Sequence, residues 1–170
     1  MEAKIPKVNE QNEVVGETTI TEAKANGWMR RIVRVFVFST DGKLLLQRRS
    51  PNVIAFPNLW DQSAGGHVDI GEDPETAARR ETREELGITV SLEEVVNYHR
   101  SDDPADKVFS YVYRATITPD TSIDFDTHEV AEVKWYTVTE FEQAVHDTPE
   151  AFTPTFVSIW FANRDKLIPT

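Results

Sequence analysis

Gly66-His67-Val68-Asp69-Ile70-Gly71-Glu72-Asp73-Pro74-Glu75-Thr76-Ala77-Ala78-Arg79-Arg80-Glu81-Thr82-Arg83-Glu84-Glu85-Leu86-Gly87-Ile88 is the stretch on which the reading of this chain turns. Its second half predicts a helix from Pro74 to Leu86. Asp73 is a good N-cap, Pro74 suits the first helical position, Glu75 complements the positive helix end, and Gly87 closes it. Residues three and four apart share a helix face, so Glu81, Glu84 and Glu85 crowd three carboxylates onto one stripe. Like charges at that spacing repel by about 0.2–0.5 kcal/mol per pair in an isolated helix, and a plain solvated face would interleave basic residues there. Clustered oxygen ligands are what a hard divalent cation prefers. Arg80, four residues before Glu84, is placed to hold that carboxylate by a charge-assisted hydrogen bond. Gly65 and Gly66 let the backbone approach a metal or phosphate, with their carbonyls available as ligands.

The bulk numbers narrow what such a cation serves. The chain has 170 residues, 39% hydrophobic and 28% charged, the profile of an ordinary globular protein. No run of 18 or more apolar residues is present, so no membrane span is expected, and the opening residues lack a secretory layout, which makes cytoplasm the expected location. There is no cysteine, which excludes disulfides, thiolate nucleophiles and zinc–thiolate sites. His67, His99, His128 and His146 show no metal-ligand spacing, so an oxygen-held Mg²⁺ or Mn²⁺ is expected rather than zinc. A net charge of −11 argues against nucleic acid as partner. A small phosphorylated molecule remains compatible, given metals and a few local arginines.

Outward from residues 66–88, nothing divides the chain, and 1–170 reads as a single domain with residues 1–30 as an accessory segment. That segment predicts a strand near Ile5 to Val8, a turn at 9–12, a strand near Val14 to Ile20 and a helical turn ending at Gly27; a homodimer through it is one expectation. Ile32 to Ser39 and Lys43 to Arg49 read as a hairpin around Asp41-Gly42. Residues 51–65 read as a loop. Strands are expected at Ile88 to Val90, Val95 to His99, Val108 to Ile117 and Glu132 to Tyr136, and helices at Thr139 to His146 and Phe152 to Lys166. This order predicts an α/β fold, with a mixed sheet between helical layers.

Gly66, Glu72 and Arg80-Glu81-Thr82-Arg83-Glu84-Glu85-Leu86-Gly87-Ile88 together resemble the Nudix box, G-x5-E-x7-R-E-U-x-E-E-x-G-U, where U is apolar. Every fixed position matches, and Thr82 departs at one U. The resemblance implies a Nudix-type α/β/α sandwich with a mixed β-sheet. It also implies Glu81 and Glu85 as principal metal ligands, Glu84 as a direct or water-mediated one, and the Gly65 or Gly66 carbonyl as a further one. Glu72, Arg80 and Gly87 would support the box. The implied reaction is attack by a metal-activated water on one phosphorus of a P–O–P linkage, with Glu84 or Glu129 taking the proton.

Asn9-Glu10 to Val15, Leu46-Gln47-Arg48-Arg49-Ser50 and Pro57-Asn58-Leu59-Trp60-Asp61-Gln62-Ser63-Ala64-Gly65-Gly66-His67 look like the isopentenyl-diphosphate isomerase-like branch of Nudix proteins. Those isomerases rely on a cysteine before the box. Here Ser63 and Ala64 occupy that neighbourhood, which points to hydrolysis. One of Arg48 and Arg49 is expected to reach a substrate phosphate, since alternation turns only one inward. His67 either faces the site or braces the loop. Trp28, Trp135 and Trp160 read as core, while Trp60, in a loop bordering the box, is the tryptophan singled out as a substrate contact. The expected substrate is a nucleoside di- or triphosphate or a related derivative. The alternatives are a prenyl diphosphate, or nucleotide sensing without cleavage.

Overall fold

Alternation along one strand explains the layers. The computed structural model describes residues 1–170. In β3 (Arg30–Ser39), Val33, Val35 and Val37 face one side of the sheet and Phe36 and Phe38 the other, as the period of two requires. The valine side packs under α2 (Pro74–Leu86) through Ala77, Ala78 and Leu86. The phenylalanine side packs on α3 (Val138–Asp147) and α4 (Pro154–Leu167) through Phe141, Phe156, Ile159 and Trp160. Phe141 stacks on Phe156 at 5.3 Å and meets the Trp160 edge at 5.1 Å. Each large apolar side chain buried this way contributes about 1.5–3 kcal/mol, so a helix is held on each face.

The remaining elements are β1 (Lys4–Val8), β2 (Val14–Thr19), α1 (Ile20–Asn26), β4 (Leu44–Arg49), β5 (Trp60–Asp61), β6 (Ala64–His67), β7 (Glu93–Ser101), β8 (Val108–Ile117) and β9 (Val130–Tyr136). β1 and β2 form a separate antiparallel hairpin, and the other seven strands one mixed sheet. β3 pairs in parallel with β8 over its whole length, Arg30 with Val108 through Ser39 with Ile117. Its other edge is shared: β6 takes Ile32 to Val35, and β4 takes only Val37 and Phe38. Beyond that point β4 leaves β3 to pair with β9 and β5. Ser63 bridges the divergence, donating to the Leu45 carbonyl at 2.6 Å and accepting from the Val37 amide at 2.7 Å.

Three local expectations need correction. Ile88 to Val90 is not a strand: Ile88 and Val90 are buried beneath α2 in the valine-side core, so packing rather than ladder bonding satisfies their apolar alternation. Residues 60–61 and 64–67, within and beside the stretch read as loop, form β5 and β6. Ala64-Gly65-Gly66-His67 has poor strand propensity, and the exposed edge of β3 imposes the pairing. β7 also runs longer than expected at both ends. Helix α2 has the expected bounds: the Asp73 side chain accepts from the Thr76 amide, and Gly87 adopts φ 66°, the left-handed conformation that ends helices.

Candidate active site

The buried end of the α2 carboxylate stripe meets Gly65 and Gly66 of strand β6. The Gly65 amide donates to Glu85 Oε1 at 2.9 Å, and Gln47 Nε2 donates to Glu85 Oε2 at 2.5 Å. Both Glu85 oxygens are thus fixed by donors from other elements. Burial pushes the Glu85 carboxyl up to about 8, against the pull of those two donors. Glu81 is pushed up to about 7, again by burial, with Arg80 opposing and Glu84 and Glu129 adding repulsion.

Arg80 gathers the rest. It donates to both Glu72 oxygens, Nε to Oε1 at 2.9 Å and Nη2 to Oε2 at 3.0 Å, and to the His67 carbonyl at 3.0 Å. The same guanidinium reaches Glu81 at 2.7 Å and Glu84 at 3.2 Å. It holds the Glu72 carboxyl below its usual range and ties the loop to the helix.

Two glycines are required by close approach. A Cβ on Gly66 would run into the Glu81 carboxylate, and one on Gly65 would meet the Val33 carbonyl at 2.6 Å. Gly87, already at positive φ, lies so near Asp124 that a Cβ would come within 2.5 Å of its carbonyl oxygen.

A cavity of about 390 Å³ opens beside β6, where β4 leaves β3. Gly65, Gly66, Glu81, Glu85, Glu129 and His67 line it, together with Arg49. Alternation along β4 explains the choice of arginine: Leu45, Gln47 and Arg49 share the face turned to α2, whereas Arg48 pairs with Glu132 at 3.2 Å on the surface. The β4–β9 register skips Ala131, and this bulge brings Arg49 opposite Val130, next to Glu129. Arg49 donates to the Ala55 carbonyl at 2.9 Å and to Asp61 at 3.4 Å. Glu84 lies outside the lining, half-exposed beside Arg80. Trp60 is not brought to the cavity; its ring packs edge-on to Tyr136 at 5.8 Å, against the phenylalanine-side core. Ser63 is fully buried and held by its ladder-bridging bonds, and Ala64 is core.

The oxygen-only donor set fits a hard divalent cation. Glu81 and Glu85 are carboxylates held in a desolvated corner with strongly raised pKa values, and Gly66 leaves open the space beside Glu81 that a Cβ would fill. No three Asp, Glu or His side chains converge as a preformed cage; Glu81 and Glu84 are both drawn to Arg80. The residues that would hold the cation are Glu81, Glu85, Glu84 and a Gly65 or Gly66 carbonyl.

Several cavity residues escaped the sequence reading. Arg34 donates to Ser110, Gln62 and Asp106 at 3.0, 3.0 and 2.9 Å. Arg30 donates to His67 Nε2 at 2.8 Å. Their signal was present: Arg30 and Arg34 interrupt a Val- and Phe-rich strand, and they share a face with Phe36. Lys24 of α1 gave none, because the hairpin that carries it to the cavity is a tertiary feature.

The NUDIX domain family profile matches residues 28–156. The chain is similar to an isopentenyl-diphosphate Delta-isomerase of Nocardia farcinica, with 32% identity covering 89% of either sequence. It is also similar to an uncharacterised Nudix hydrolase of Listeria monocytogenes, with 34% identity covering 92% of this chain and 89% of the other. In three dimensions it resembles the crystal structure of a Deinococcus radiodurans protein, with a TM-score of 0.80 and 28% identity over 94% of this chain and 98% of that one. This chain belongs to the Nudix family. It is a Nudix hydrolase, of the type that acts on pyrophosphate bonds, and it has no cysteine to serve as the isomerase thiol. No helix is long and apolar enough to cross a membrane.

Proposed function

We propose that this chain hydrolyses the pyrophosphate linkage of a nucleoside di- or triphosphate, or of a related nucleoside diphosphate derivative, with Mg²⁺ or Mn²⁺ as cofactor. One observation carries the reading: the α2 carboxylates open into a cavity walled by charge, with four cationic and seven acidic side chains in its lining. A polar, multiply charged substrate suits such walls. Bound beside Glu81 and Glu85, a divalent cation would supply charge neutralisation on the phosphate oxygens and a lowered pKa for the attacking water.

The chain's own residues do the remainder. Arg80 braces Glu72, Glu81 and Glu84, and the Gly65 amide with Gln47 orients Glu85. We assign Glu129 as the base, because it lines the cavity with Glu81 and Glu85 while Glu84 sits outside. Its carboxylate takes a proton from water as the oxygen attacks phosphorus; the P–O bond to the leaving phosphate breaks, and Arg49 balances the charge that develops there.

The likeness to the Nocardia isopentenyl-diphosphate Delta-isomerase supports a second reading, a prenyl diphosphate substrate. Ile5, Ile20, Ile32 and Phe56 share the lining with the charged side chains, so prenyl diphosphates belong in the test. The test is a hydrolysis screen, with and without Mg²⁺, over nucleoside di- and triphosphates, nucleotide sugars, dinucleotides and prenyl diphosphates, with products identified by mass. Mg²⁺-dependent cleavage of a nucleotide is expected. Cleavage of prenyl diphosphates alone would replace the reading.

A further inference from the structure

Of the four cations in the cavity, two are spoken for. Arg34 donates to Asp106 and Arg49 to Asp61. Lys24 and Arg30 donate to no carboxylate. Arg30 is 2% exposed, yet its Nε has no partner, and its Nη2 stands 3.6 Å from Asp106, beyond hydrogen-bond reach. Its Nη1 donates to His67 Nε2, so His67 accepts there and brings no negative charge. Lys24 reaches the same wall from α1, and desolvation followed by repulsion from Arg30 holds it below its usual range.

Two positive charges on different elements therefore share one wall of the cavity, and the one carboxylate paired with Arg30, Asp106 at 3.6 Å, is already held at 2.9 Å by Arg34. Such an arrangement costs free energy until an anion enters. Its charge selects among phosphates. An unesterified terminal phosphate carries about −1.5 to −2 at neutral pH, with a second pKa near 6. A phosphate esterified on both sides has a single ionisable oxygen and carries one negative charge.

Resting on the pyrophosphatase reading above, we propose that Lys24 and Arg30 bind the free terminal phosphate of the substrate. The enzyme then acts on chains ending in an unesterified phosphate, nucleoside di- or triphosphates, in preference to nucleotide sugars and dinucleotides, whose phosphates are all esterified. The N-terminal segment thereby becomes part of the substrate site, with α1 supplying one of the two cations.

The test compares ADP with ADP-ribose, and UDP with UDP-glucose, in the wild type, Lys24→Ala and Arg30→Lys. Lys24 is exposed on α1, so its truncation removes no buried packing. The wild type is expected to favour the free terminal phosphate by at least about tenfold in kcat/KM, the scale of one charged hydrogen bond. Lys24→Ala is expected to lower kcat/KM for ADP and UDP by about tenfold and for the sugars far less, collapsing the preference; Arg30→Lys, which keeps the charge and loses the fork, should fall between. Equal or better cleavage of the sugars by the wild type, or an equal loss on both substrates in Lys24→Ala, overturns the proposal. Calorimetric titration of inorganic pyrophosphate into the metal-free proteins separates the two readings. Weaker binding in Lys24→Ala upholds the subsite even if no nucleotide is cleaved, an outcome that would sink only the nucleotide reading. Equal binding by both proteins sinks the subsite whatever the nucleotides do.

Discussion

Glu85 illustrates how a carboxylate is kept ready at the cost of local comfort. It is 5% exposed, and its two donors come from β4 and β6, not from its own helix. Glu85→Gln should keep the fold and lower Mg²⁺-dependent phosphate release by roughly a thousandfold, a loss of about 4 kcal/mol of transition-state stabilisation. Undiminished release in that variant would remove Glu85 from the ligand set. Gln47 acts one step back. Its Nε2 also donates to the Ser63 carbonyl at 3.0 Å, while its Oε1 is buried without a partner. Gln47→Leu frees the Glu85 carboxylate to swing, so the Mg²⁺ concentration for half-maximal activity should rise by about ten- to a hundredfold, the usual effect of losing a residue that orients a ligand. A metal titration of activity reads this directly; a lower maximal rate at unchanged metal requirement would contradict it.

At the scale of the element, α2 explains why the one apolar position of the box that departs from the pattern is tolerated. Thr82 is completely buried, and its hydroxyl donates to the Ala78 carbonyl at 2.7 Å, inside its own helix turn. The polar atom is satisfied locally, and the rest of the side chain packs as valine would. Thr82→Val should therefore stabilise the protein, by about 1 kcal/mol, since a buried hydroxyl and a helix-bending back-bond are both removed. Urea denaturation followed by far-UV circular dichroism measures it; a loss of stability would show that the hydroxyl contributes more than its one bond. The caps of α2 were legible in residues 73 and 87 because capping is a contact between near neighbours. The strand β6 was not, because Ala64-Gly65-Gly66-His67 extends only when β3 offers an edge.

Across the whole molecule, the buried Arg34 knits three segments: Ser110 on β8, Gln62 between β5 and β6, and Asp106 in the loop before β8. Arg34→Met should destabilise the protein by about 3 kcal/mol, because Asp106 and Asp61 keep their charges with one counter-ion fewer. The midpoint of a urea transition tests this, and a change below about 1 kcal/mol would show that Arg30 and Arg49 suffice to compensate.

By itself, the sequence determined the helix α2 with both its caps, the mixed α/β class and the family, because these rest on periodicity and spacing carried by consecutive residues. It also named Glu81 and Glu85, which the fold then gathers at one cavity, while Glu84 stays outside it. Only the tertiary structure decided that Arg49 rather than Arg48 turns to the cavity, that Trp60 packs away from it, and that Lys24 and Arg30 meet there. Those outcomes depend on a bulge at Ala131, on the parting of β4 from β3, and on a hairpin folding back from the N-terminus. Each joins residues far apart in the chain, and no local pattern encodes which pairs of distant surfaces will bury one another.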